Sequence, residues 1–172
     1  MGNNDNTYVK NLLGAFATTV SDAIEQKIDA FGARNISHEI ALITVYNHPD
    51  ESIDVLRRVL NLSPSGAVKL VNVLEKEGLM IRCKDKIDAR ITGLQVTEKG
   101  KKRVVKILSA RDSILSNVVR SLTKDQIKVL LPIIELMMRS MTTDQSSARR
   151  ICKMCNEDVC RNRGCPVENS IN

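Results

Sequence analysis

The sequence predicts a mainly α-helical fold carrying one small β-hairpin, and three observations predict it. Apolar residues recur at steps of three and four along most of the chain, the spacing of one helical face. The period shortens to two only around residues 79–83 and 91–97, as it does in strands. Ser, Thr and Pro stand where helices should open, and Gly where they should close.

Residues 7–31 place Val9, Leu12, Leu13, Phe16, Val20, Ile24, Ile28 and Phe31 on one face, and Gly32 suits the C-terminal cap. Ser37 is expected to cap a second helix through Ile40, Ile43 and Val45, which Asn47-His48-Pro49-Asp50 breaks. Ser52 caps a short helix with Ile53, Leu56, Val59 and Leu60. Ser63 caps the next, where Pro64 fits the first turn because its missing N–H costs nothing there. Val68, Val71 and Leu74 are read as its core side, and Gly78 ends it. At about 1.5 Å per residue, residues 64–77 make a rod of roughly 21 Å.

The strands at 79–83 and 91–97 are joined by the polar, basic stretch 84–90. Helix returns over 99–119 with Val104, Ile107, Leu108, Ile114, Leu115 and Val118 on one side. Thr123 and Gln126 form a capping box opening a last long helix through Met141. Pro132 lies inside it and should bend rather than end it, since the apolar pattern continues beyond. Residues 142–148 read as a polar linker, followed by a cysteine-dominated tail.

Composition narrows the function. The 172 residues include 48 Leu, Ile and Val, ample for a core, but only two Phe, two Tyr and no Trp. That scarcity of rings argues against readers that stack single-stranded bases. Two histidines, His38 and His48, leave little for His-based catalysis, and His48 reads as a loop residue without a role. No apolar run approaches the roughly 18 residues a membrane span needs, and the opening MGNNDN is polar, so a cytoplasmic protein is expected. The net charge is +6, yet residues 52–111 hold 14 Lys and Arg against six Asp and Glu. Basicity is therefore concentrated in the middle third, as in a footprint for phosphates, although a solvated basic face gives the same count.

Helix, break, helix and ribbon is the order of a winged helix-turn-helix. The middle segment also resembles the DNA-binding core of the multiple-antibiotic-resistance regulator (MarR) family. Leu74-Glu75-Lys76-Glu77-Gly78-Leu79, Asp88-Ala89-Arg90 and Val96-Thr97-Glu98-Lys99-Gly100 carry the resemblance, which spans residues 7–141 with the flanking helices. The family usually has Leu before that Thr, so Val96 departs from the pattern.

The expected interface follows from the residues. A helix N-terminus offers free N–H groups and positive dipole to a phosphate, and Ser63, Ser65 and Gly66 leave space for close approach. Lys69, one turn along, can reach a base edge or a second phosphate. Ser63 caps its helix in either case; contact with DNA is a second role. The resemblance implies that Arg90 enters the minor groove, where guanidinium groups are commonly inserted, while Asp88 orients neighbouring basic groups. The alternative is that Asp88 and Arg90 only hold the turn. Lys84 and Lys86 are expected as diffuse phosphate contacts.

The family is dimeric through its first and last helices, and both terminal helices here carry more aliphatic surface than a small winged domain covers. The expected partition is 1–50 N-terminal dimerisation helices, 51–100 DNA-binding domain, 101–141 C-terminal dimerisation helices and 142–172 linker and tail. A homodimer implies a pseudo-palindromic double-stranded operator. The resulting expectation is a repressing, non-enzymatic transcriptional regulator answering a small-molecule, metal or redox signal, with a protein-interaction module or a thiol-redox protein as the alternatives. The nearest approach to a phosphate loop, Gly93 to Gly100-Lys101-Lys102, has the wrong glycine spacing.

Cys152, Cys155, Cys160 and Cys165 form C-x2-C-x4-C-x4-C, while Cys83 is read as a small core residue. Four thiols this dense in a reducing compartment rarely form disulfides. With little apolar content to build a core, the tail is expected to be stapled by zinc. An iron–sulfur cluster or a thiol switch is the alternative.

Overall fold

A computed structural model describes residues 3–32, 35–84 and 92–171. The order is α1 (Asn3–Asp29), α2 (Ile36–Asn47), α3 (Ile53–Leu60), α4 (Pro64–Lys76), β1 (Met80–Lys84), β2 (Thr92–Val96), α5 (Glu98–Val119), α6 (Lys124–Ser140), α7 (Gln145–Cys152) and α8 (Glu157–Arg161). The strands are antiparallel, with Met80 opposite Val96 and Lys84 opposite Thr92. Residues 50–52 run along the other edge of β2: Asp50 N–H donates to Leu94 O, and Leu94 N–H to Glu51 O. The fold is therefore mainly α with a β-hairpin wing, a winged helix-turn-helix with flanking helices.

Helix α2 sits at the centre. Glu39 through Val45 are all buried within the chain. Fully burying side chains such as Leu42 and Ile43 contributes about 1.5–3 kcal/mol each. Leu56 of α3, Leu70, Val71 and Leu74 of α4, Leu94 of β2 and Val104 and Ile107 of α5 complete one core. With α2 spent on this core, the exposed apolar residues of the N-terminal segment, among them Tyr8, Val9, Leu12 and Phe16, lie on α1.

One charged pair is sealed inside. Glu39, 1% exposed, accepts from the Arg103 guanidinium, which also donates to Phe31 O at 3.3 Å. The glutamate holds the Arg103 pKa above its ordinary value. Lys106 stands 4.1 Å over the Phe31 ring, a cation–π contact at the same junction of α1, α2 and α5.

Four sequence expectations change. Asn35, not Ser37, caps α2: its side chain accepts from Ser37 N–H, so the helix starts two residues earlier. Val68 faces out, because α4 buries Ala67, Leu70, Val71 and Leu74 and residue 68 falls to one side of that stripe. Cys83 is half-buried rather than core, at the end of a strand pair that has one covered face. Part of the expected linker is helical, because Asp144 and Ser147 cap α7 reciprocally, each side chain accepting from the other's backbone N–H. Helix α6 runs on through Pro132.

Among the described residues, no helix is long and apolar enough to cross a membrane.

Candidate nucleic-acid interface

The helix-turn-helix is built by two local signals. Asn61 adopts the left-handed conformation (φ 53°) and closes α3 by donating to Arg57 O and Arg58 O. Ser63 then opens α4, its hydroxyl accepting from Gly66 N–H at 3.1 Å and lying 3.3 Å from the Ser65 hydroxyl. A Cβ at Gly66 would stand 3.0 Å from the Ser63 hydroxyl, so the glycine protects the cap. Ser63, Ser65 and Lys69 are exposed and Gly66 half-exposed. All four occupy the first turn and a half of one helix, on an outward face shared with Val68, Asn72 and Lys76.

The wing is tied to that helix by the two glycine-containing motifs. Gly78 (φ 68°) turns the chain out of α4. The Thr97 hydroxyl donates to Gly78 O at 2.6 Å, Thr97 N–H to Leu79 O at 3.1 Å, and Lys99 Nζ to Glu77 O at 2.8 Å. Thr97 also caps α5 by accepting from Gly100 N–H. A Cβ at Gly100 would lie 2.1 Å from Leu79 O, a distance only glycine allows. The 74–79 and 96–100 segments are thus two halves of one joint, which fixes the wing's base relative to the outward face of α4.

Arg82 is a residue the sequence reading missed. It reaches from β1 to α4, pairing with Glu75 and donating to Asn72 Oδ1 at 2.9 Å. Its basic character alone did not separate it from its neighbours. Lys84 closes β1. Lys86, Asp88 and Arg90 lie outside the described residues. On α3, Asp54 accepts from Arg57 at 2.8 Å, and this bond, with Arg57 and Arg58 charge beside it, keeps its carboxyl below the usual range.

The tail folds back on the same domain. Arg149 pairs with Glu51, and α7 packs on α3. The Asn47 amide donates to Cys155 O at 3.1 Å, and His48 Nε2 lies 3.0 Å from Glu157 Oε1, which is almost fully buried. Glu157 also pairs with Arg161. His48 therefore has a structural partner 109 residues away, which no local signal announces. Cys152 and Cys165 are buried with Ala148 and Val167 in a small second core, against which Cys155 and Cys160 pack.

The thiols interact among themselves. The Cys152 and Cys155 side chains are hydrogen-bonded, and Cys155 also meets Cys160. The bond to Cys152, with help from the Arg111 guanidinium, holds the Cys155 thiol at about 7; the same bond and burial push Cys152 up. Burial raises Cys160. Cys155 and Cys160 line a cavity of about 510 Å³ between α5 and the tail, with Tyr46, Leu108, Arg111 and Asp158.

An outward helix N-terminus joined rigidly to a hairpin defines a winged helix-turn-helix protein. Its fold is that of the MarR family, which the motifs of residues 74–79 and 96–100 also resemble. A MarR family protein from Bacillus stearothermophilus superposes with a TM-score of 0.74 at 21% identity, over 83% of this chain and 99% of the other. A MepR variant from S. aureus bound to an oligodeoxyribonucleotide superposes with a TM-score of 0.58 at 19% identity, over 78% and 98%. An uncharacterized HTH-type transcriptional regulator of Bacillus subtilis, YwhA, is 25% identical over 126 residues, which are 72% of this chain and 91% of that protein. No family model matches the chain.

Proposed function

We propose that the protein is a sequence-specific double-stranded DNA-binding transcriptional regulator of the MarR type, acting as a homodimeric repressor on a pseudo-palindromic operator. One observation carries the reading: the capped N-terminus of α4, with Ser63, Ser65 and Lys69, stands exposed beside a wing base that Thr97 and Lys99 lock to it. N–H groups there meet a phosphate, Lys69 adds charge or a base contact, and the wing's Lys84, Lys86 and Arg90 extend the contact to the flanking groove. Asp88 orients the wing's basic groups. The S. aureus relative bound to an oligodeoxyribonucleotide and the regulator name of the B. subtilis relative support the reading.

The role is binding rather than catalysis, in the cytoplasm, where the operator is. A signal, whether a small molecule, a metal or an oxidant, shifts the dimer between half-site spacings. Fluorescence anisotropy with the DNA upstream of its own gene tests the reading. The expected result is preference over scrambled duplex and steep salt dependence, with Arg90→Ala costing about 1–3 kcal/mol. Equal binding to scrambled DNA, or none, refutes it and leaves a winged-helix protein-interaction module.

A further inference from the structure

The tail presents four thiols and very little else to hold it in shape. Its own buried residues are small: Ala148, Cys152, Cys165 and Val167, with Ser147 and Glu157 as the buried polar ones. Yet it is docked at several points, through Arg149 to Glu51, Asn47 to Cys155 O, His48 to Glu157 and Met154 to the main core. A segment this poor in apolar area needs a further constraint to stay ordered against the rest.

The cysteines lie where such a constraint would act. Cys152 ends α7, Cys155 follows one turn later, Cys160 is on α8, and Cys165 follows Gly164, whose φ of 77° turns the chain back. Cys152 and Cys165 are buried together in the tail's small core, and Cys155 and Cys160 both pack against it. All four sulfurs therefore share one neighbourhood. With the thiols free, no three metal-capable side chains among the described residues converge on one point; closing the set asks for side-chain rotation of the kind thiols make between staggered rotamers.

We propose that Cys152, Cys155, Cys160 and Cys165 bind one zinc ion as a four-thiolate structural centre that clamps the tail onto α2, α3 and the 50–52 segment. Four thiolates at about 2.3 Å in a tetrahedron are a standard closed zinc site, and C-x2-C supplies two of them from one turn. Binding releases the thiol protons and leaves a net charge of −2 on the centre, which Arg111, close to Cys155 and Cys160, partly offsets. His48, just after α2, is already held by Glu157.

Elemental analysis of the full-length protein tests this directly, and it involves no DNA, so its failure is separate from failure of the regulatory reading. About one zinc per chain is expected. Replacement by cobalt(II) should give thiolate-to-cobalt charge-transfer and tetrahedral d–d bands. Cys160→Ser should weaken cobalt affinity by at least about 100-fold, the upper end of what losing even an outer-shell partner costs, while Cys83→Ser should not change it. Trypsin should cut at Arg149 and Arg150 faster after chelation. Iron with acid-labile sulfide, a Cys152–Cys155 disulfide in the intact mass, or four thiols titrating freely with no zinc would each overturn the proposal.

Discussion

Thr97 does three jobs within a few ångströms: it caps α5, donates to Gly78 O and lies under Leu79 O. The joint tolerates no side chain at position 100. Gly100→Ala would drive a Cβ to 2.1 Å from Leu79 O, so either the carbonyl or the helix start must move. Overpacking of this kind costs about 1–3 kcal/mol, to be read as a lower urea midpoint. Gly78→Ala, where a Cβ meets nothing within 4 Å but φ is 68°, tests conformational strain alone. Unchanged stability in Gly100→Ala would mean that the joint is slack. Caps were legible in the sequence because cap and donor sit within three residues: Ser52, Ser63 and Thr123 were all read correctly. The Glu39–Arg103, Arg82–Glu75 and His48–Glu157 pairs were not, since nothing local records which charge folding brings opposite which.

Element by element, periodicity located every major helix and both strands, while faces were harder. An error of one residue rotates a helical position by about 100°, and that is the fate of Val68 on α4. On the proposed DNA-binding face, an exposed valine beside Lys69 would offer a methyl-sized apolar contact to a thymine. Lys69→Ala should weaken operator binding by about 1–3 kcal/mol and lower the log–log salt slope by about one if the partner is a phosphate. An unaltered slope with altered base preference would assign it to a base edge instead. Identical affinity and slope would remove Lys69 from the interface. The α7 helix escaped the sequence reading for a different reason. Its capping box is Asp with Ser rather than Ser or Thr with Glu or Gln, and its sequence is polar even though only Gln145 and Arg150 are exposed, because Ser147 is spent on the cap and Arg149 reaches Glu51.

For the whole molecule, the exposed apolar surface sets the problem. Helix α6 buries none of its residues in the single chain, although Val129 is 64% and Leu136 68% exposed, with Leu131 and Ile133 near half. On α1, Tyr8, Val9, Leu12 and Phe16 stay at 50% exposure or more. Isolated exposed leucines are ordinary, but two helices with contiguous apolar faces exceed what a lone soluble chain presents. A second copy is the simplest cover, since a two-fold axis lets one patch bury itself against its equal. The proposed dimer also sets the separation of the two α4 helices, and with it the operator half-site spacing. Leu131→Glu paired with Leu136→Lys should therefore give a monomer by sedimentation equilibrium while the winged domain keeps its helical circular dichroism. That monomer should bind a single half-site weakly and lose the steep preference for the full palindrome, because linking two sites supplies much of the affinity. A variant that remains dimeric would move the interface to α1 alone. A monomeric variant with full operator affinity would separate DNA reading from assembly altogether.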